Sequence, residues 1–335
     1  MDGTMLAARI YNPYDIRIED VSNPKIKESW VLIEVEAVGI CGTDKAFYTG
    51  TYKLFRKPII LGHEICGRVV EIGKGVPKDI IGSRIVTEIN VVCGRCWFCN
   101  HGLRTHCPYR EVLGITIDGG MAEYVAVPYA NIHRVSLDPR EAIFVEPLAA
   151  VLQMIKLAPP TPGDIAAVLG SGTIGLLTLQ VLRLLGLYVV VITRKDSPKA
   201  KYAKALGANE VLTYEEVLEF IKNQTPEGQG FDYVVEATGN PQGLSIALEL
   251  VRPRGIIAAK STHGALTSFD YTKMVVKEVQ ITASRCGPFK PAIRLLENRL
   301  IKVQDLITSR YKLREAKKAF NASLMRNQVK VVLVP

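Results

Sequence analysis

The chain changes texture as it is read. In its first part, apolar and polar positions alternate in short β-branched runs, "WVLIEVEAVGI", "GRVVEIG", "SRIVTEINVV" and "AEYVAV", cut by glycine and proline turns. A period of two over such short spans predicts the strands of a small all-β, barrel-like domain. From "GDIAAVLGSGTIGLL" onward, apolar runs alternate with helical segments, and "AAVLG", "YVVVIT", "EVLTY", "FDYVVEAT", "GIIAAK" and "VQITAS" read as six strands. Strands separated by helices predict a doubly wound parallel sheet of α/β class.

"LAPPTPGD" marks entry to this second unit, and "SRCGPFKP" leads out of it to a tail ending in the strand-like "VKVVLVP". The tail is expected to return to the first domain, so the organisation predicted is 1–149 with 288–335 around 150–287. At 335 residues the chain is long enough for two full cores. The most apolar window, "IGLLTLQVLRLLGLYVVVI", is interrupted by Gln180, Arg183 and Gly186, which predicts a buried helix followed by a strand, not a membrane span. The start lacks a basic region followed by an apolar one, so a cytoplasmic, reducing setting is expected.

The formal net charge of +9 changes this picture little, because the lysines and arginines are scattered. It suits a basic enzyme with an anionic substrate or cofactor, and no nucleic acid or membrane partner is expected. The cysteines change it more. Four of seven, Cys93, Cys96, Cys99 and Cys107, fall in one window. In a reducing setting an odd, clustered set favours a metal over disulfides.

Gly170-Ser171-Gly172-Thr173-Ile174-Gly175 is a G-x-G-x-x-G between a predicted strand and a predicted helix. The first glycine permits the turn, the second lets a pyrophosphate approach, and the third allows close packing, while free N–H groups at the helix start hold the anion. Where a carboxylate would grip the ribose 2′-hydroxyl of NAD, the chain has Thr193-Arg194-Lys195. Two cations there predict preference for NADP(H); Arg194 stacked on adenine would instead admit NAD(H) as well. Cys41 in "GICGTD" with His63 and Glu64 in "GHE" offers a thiolate, an imidazole and a carboxylate, suited to a zinc ion with one open position.

Taken in order, "GICGTD", "GHE", the four-cysteine lobe, "EPLA" and "GSGTIG" resemble the zinc-dependent medium-chain dehydrogenase/reductase family over essentially the whole chain. The resemblance implies a GroES-like catalytic domain with a structural-zinc lobe near 90–110, a Rossmann domain, and a homodimer or homotetramer. It implies a structural zinc on Cys93, Cys96, Cys99 and Cys107, leaving His101 and His106 solvated, and a catalytic zinc on Cys41, His63 and one or both of Glu64 and Glu146, with Asp44 orienting the histidine. "EPLA" matches the polyol, sugar and threonine dehydrogenase branch. Thr43 matches the hydroxyl that passes the alcohol proton outward, but relatives carry a histidine three positions on where this chain has Ala46, so the relay must end in cofactor ribose, water, Lys45 or Tyr48. Thr238 and Arg285 match loops bordering the nicotinamide, and Lys330 a pyrophosphate contact. The reading that results is an NADP(H)-preferring dehydrogenase of a polyol, sugar or secondary alcohol. L-threonine 3-dehydrogenase and a zinc-free quinone reductase-like or non-enzymatic role are the alternatives.

Overall fold

The computed structural model describes residues 3–335. Strand Trp30–Gly39 is the spine of the first domain. It pairs antiparallel with Glu64–Ile72, with Tyr124–Pro128 and with Lys330–Val334 in a seven-stranded sheet. Val31, Ile33, Val35 and Val38 turn into a core shared with Ile10, Phe47, Phe320 and Leu333. At the centre of this sheet a side chain on residue 67 would meet the Glu34 carbonyl at 2.2 Å, so only Gly67 lets the two strands approach. A three-stranded sheet of Asp15–Ser22, Thr4–Asn12 and Ile59–Ile60 completes the first domain's main β-structure.

The six expected α/β strands form one parallel sheet, ordered Glu210–Leu212, Tyr188–Ile192, Ile165–Leu169, Phe231–Glu236, Val251–Ala259 and Gln280–Ala283. The order reverses beside Ile165–Leu169, the position at which such sheets open a crevice at their carboxyl edge. The long apolar window resolves into helix Thr173–Leu184 and strand Tyr188–Ile192. No helix among the described residues is long and apolar enough to cross a membrane.

The last strand, Lys330–Val334, lies between Trp30–Gly39 and Ile307–Lys312, with Val332 opposite Gly39 and Leu333 opposite Val38. One apolar cluster then runs without a break from Ala37, Cys66 and Val332 through helix Val145–Leu157 to Val168 and Leu176 under the parallel sheet. The two units therefore share a core. Leu333 is fully buried in the barrel core. Leu333→Ala is expected to destabilise the protein by about 2–5 kcal/mol, read as a lower urea midpoint; an unchanged midpoint would show that the returning strand is dispensable.

Candidate active site in the cleft

Three elements bring the first cluster together. Cys41 stands in extended conformation as the N-cap of helix Gly42–Thr49, His63 directly precedes strand Glu64–Ile72, which Glu64 opens, and Glu146 lies in the first turn of helix Val145–Leu157. His63, Glu64 and Asp44 are buried. Asp44 accepts the Cys41 N–H at 2.8 Å, which caps the helix and fixes the thiol's approach. Its other oxygen lies 3.7 Å from His63 Nδ1, and both atoms are buried without a hydrogen-bond partner. Burial would lower the His63 pKa, but Asp44, Cys41 and Glu146 hold it well above the usual value. Burial pushes the Asp44 and Glu146 carboxyls up. A half-buried thiol with a buried imidazole and carboxylates is a donor set of the kind zinc takes.

Glu64 is held differently. Both its oxygens accept from Lys330 Nζ, at 2.7 and 2.6 Å, and Lys330 is only 2% exposed. A Cβ on residue 39 would lie 2.0 Å from Glu64 Oε2, so Gly39 leaves the notch the carboxylate fills. The Lys330 ammonium is thus buried against Glu64. Thr43 is half-buried one residue from Asp44, and Ala46 is buried. The Tyr48 hydroxyl donates to Asn321 at 2.8 Å, while Lys45 donates to the Ser323 carbonyl at 3.3 Å and feels Lys330, Cys41, Glu64 and Asp44.

The glycine loop ends strand Ile165–Leu169. Gly170 takes φ 104°, and a Cβ on Gly175 would strike the Gly170 carbonyl at 1.9 Å, whereas one on Gly172 would meet nothing within 4 Å. The second glycine thus borders open space, as a pyrophosphate requires. Thr173 Oγ1 donates to the Val329 carbonyl at 2.9 Å, and Ile174 is half-buried behind it. Thr193 is half-buried at the end of the second strand; Arg194 and Lys195 are exposed. Lys199, which nothing in a lysine-rich stretch singled out, joins them: burial, with Lys45 and Arg194 nearby, pushes it down to about 8. Thr238 donates through both its N–H and its hydroxyl to Glu236, which also accepts from Ser261 Oγ at 2.8 Å, so one buried carboxylate ties two loops of the carboxyl edge. Arg285 donates from Nη2 to the Thr105 carbonyl of the cysteine lobe.

In that lobe the sulfurs of Cys93, Cys96, Cys99 and Cys107 all lie within 4.8 Å of one another, with Cys96–Cys99, Cys107–Cys93 and Cys96–Cys107 at 3.5, 3.6 and 3.8 Å. None is in a disulfide. A tetrahedral zinc with bonds of about 2.3 Å places its sulfurs about 3.8 Å apart, so the set fits that ion. The Arg95 N–H lowers the Cys93 thiol to about 6, while burial raises Cys99 to about 11. The lobe's short helices, Trp97–Asn100 and Arg104–His106, bury no residue, so apolar burial does not order them. His101 and His106 are exposed, the former stacked on Trp97.

The family profile described as "Alcohol dehydrogenase GroES-like domain" matches residues 27–137, and that described as "Zinc-binding dehydrogenase" matches 173–298. D-arabitol-phosphate dehydrogenase of Enterococcus avium is 33% identical over 94% of this chain and 92% of that protein. L-threonine 3-dehydrogenase of Pyrococcus abyssi is 30% identical over 89% of each. A zinc-binding dehydrogenase from Sinorhizobium meliloti 1021, solved bound to NADP, superposes with a TM-score of 0.90 at 32% identity, covering 99% of this chain and 100% of that one.

Two substitutions test the site's construction. Cys99→Ser is expected to release one zinc equivalent per chain by elemental analysis and to lower Tm; retained metal content would reject the four-sulfur site. Lys330→Met strands a buried carboxylate and is expected to cost about 3–5 kcal/mol in chemical denaturation, with Glu64→Gln restoring part of the loss; a neutral single substitution would show that the pair does not hold Glu64. Profiles, relatives and fold agree with the residues assembled in the cleft, and the chain belongs to the zinc-dependent medium-chain dehydrogenase family, a GroES-like and Rossmann-type oxidoreductase acting on CH–OH groups.

Proposed function

We propose that the chain interconverts a polyol, sugar or related secondary alcohol with its carbonyl, using zinc and preferentially NADP(H). What supports this reading is that Cys41 and Glu146 both act on the buried His63, in a chain whose glycine loop is followed by a second strand ending in cations where NAD enzymes need a carboxylate.

Cys41, His63 and Glu146 would hold the catalytic zinc, with Asp44 beneath the histidine, and the four lobe cysteines the structural one. Glu64 stays on Lys330 at rest, because two charge-assisted bonds inside the protein must be broken before its oxygens are free. Zinc and NADP, when bound, supply Lewis-acid polarisation of the substrate oxygen and the hydride acceptor. The chain supplies position and a path for the proton. Gly172 admits the pyrophosphate, helix Thr173–Leu184 presents its free N–H groups, and Arg194, Lys195 and Lys199 attract the 2′-phosphate. Glu236 holds the loops of Thr238 and Ser261 still, which fixes one edge of the cleft. Thr43 accepts the hydroxyl proton. Its onward route runs through cofactor ribose, water or Lys45, because Ala46 offers no acceptor and Tyr48 is committed to Asn321.

The relationship to a threonine dehydrogenase favours a second reading, oxidation of L-threonine with NAD, which Ala46 and the cations around Arg194 oppose. A screen of zinc-loaded protein with polyols, aldoses, secondary alcohols and threonine, each with NADP and NAD, separates the two. NADP reduction by a polyol or sugar is expected, and Arg194→Ala should raise KM for NADP by about 10–100-fold while changing that for NAD little. Threonine oxidation with NAD would replace the proposal.

A further inference from the structure

Glu236 closes strand Phe231–Glu236 and is only 4% exposed. Its Oε1 accepts the Thr238 N–H at 2.9 Å, the Thr238 hydroxyl at 2.6 Å and the Ser261 hydroxyl at 2.8 Å, and its Oε2 accepts the Ser261 N–H at 3.3 Å. A Cβ on residue 243 would lie 2.3 Å from Oε1, so Gly243 leaves the notch that the carboxylate fills. A backbone N–H faces each oxygen, which suits the ionised form, an acceptor at both. All four donors are neutral. The nearby Lys260 gives its backbone N–H to the Glu236 carbonyl at 2.9 Å, but its ammonium is bound to the Ser284 and Arg285 carbonyls, both at 3.1 Å, beyond edge strand Gln280–Ala283. Hydrogen bonds therefore hold the Glu236 charge in place without neutralising it.

The sheet says what that charge faces. Strand order reverses between Ile165–Leu169 and Phe231–Glu236. A dinucleotide lies across such a point, with its pyrophosphate on the glycine loop, its adenosine over the half that holds the second strand and its nicotinamide over the other half. Glu236 is paired in register with Leu169, the residue before Gly170, and a Cβ on Gly170 would lie 2.6 Å from the Ala237 carbonyl. The carboxylate is thus the first side chain of the nicotinamide half, next to the glycine loop. A nicotinamide ring is a cation when oxidised and neutral when reduced, so a fixed anion in that half attracts one form and not the other.

We infer that Glu236 sets the redox balance of the bound cofactor: its charge tightens binding of the oxidised dinucleotide relative to the reduced one and poises the site toward carbonyl reduction. In that direction hydride passes from the reduced ring to the carbonyl carbon, the oxygen takes a proton, and the positive charge left on the ring meets an anion already in place. Glu236 acts through space, as a positioning residue. The inference rests on the nicotinamide cofactor reading for the place of the ring.

Titration of the zinc-loaded protein with NADP, NADPH, NAD and NADH in the absence of substrate, followed by calorimetry, tests it. Glu236→Gln keeps the side chain's shape and its bonds at Oε1 but removes the charge, and is expected to raise the ratio of oxidised to reduced dissociation constants at least about 5-fold. Glu236→Asn and Glu236→Asp repeat the comparison with a shorter side chain, the neutral one shifting the ratio and the charged one keeping it. Ser261→Ala loosens the same loop without touching the charge, and its ratio is expected to stay within about 2-fold of the parent's. A ratio unchanged in the neutral variants while both forms still bind, or an equal shift in Ser261→Ala, would overturn the inference, because loop order alone would then account for the carboxylate. Binding of NAD and NADH alone would overturn the NADP preference, with the same ratio read on that pair deciding the inference. Binding of no dinucleotide by the parent would overturn the cofactor reading and the inference with it.

Discussion

The contact on which the site most depends joins residues far apart in the chain. Lys330 Nζ reaches Glu64 from the last strand, and both side chains are almost wholly removed from water. Neither charge is affordable alone in such surroundings, so the register of the closing strand against Trp30–Gly39 is enforced by chemistry as well as by hydrogen bonds. The same strand is approached from the other unit: Thr173, at the start of the glycine helix, donates to the carbonyl of Val329. One short segment thus aligns the acidic cluster with the cofactor loop.

Around that alignment the cleft sorts its charges. A thiol, an imidazole and carboxylates act on one another where the barrel strands and helix Val145–Leu157 meet. Cations gather at the carboxyl edge of the parallel sheet in two places, one at the end of the second strand and one past the fifth. The four-cysteine lobe lies outside this pattern yet is tied to it, because Arg285 grips the Thr105 carbonyl while its own carbonyl holds Lys260.

The local signals were the ones legible in the chain. All six parallel strands appear where apolar runs predicted them, because a strand buried on both faces must be nearly continuous in apolar residues. The glycine loop was legible because each glycine answers a separate steric demand, and Gly170, Gly172 and Gly175 meet three different surroundings. The cysteine lobe was legible because its four ligands are close in sequence. The Lys330–Glu64 contact was not legible, because its partners stand far apart in the chain and only the last strand brings them together.

What the sequence by itself determined is the set of short-range features: strand and helix periods, the glycine turn, four clustered thiols, and the missing carboxylate after the second strand. What only the tertiary structure decided is which distant groups share a space. Nothing near Lys199, Lys260 or Lys330 in the chain distinguishes these from other lysines. Lys330 acquires its partner through burial against Glu64, a separation set by packing the last strand on Trp30–Gly39. Electrostatic energy depends on separation and dielectric, and neither is written in the order of residues.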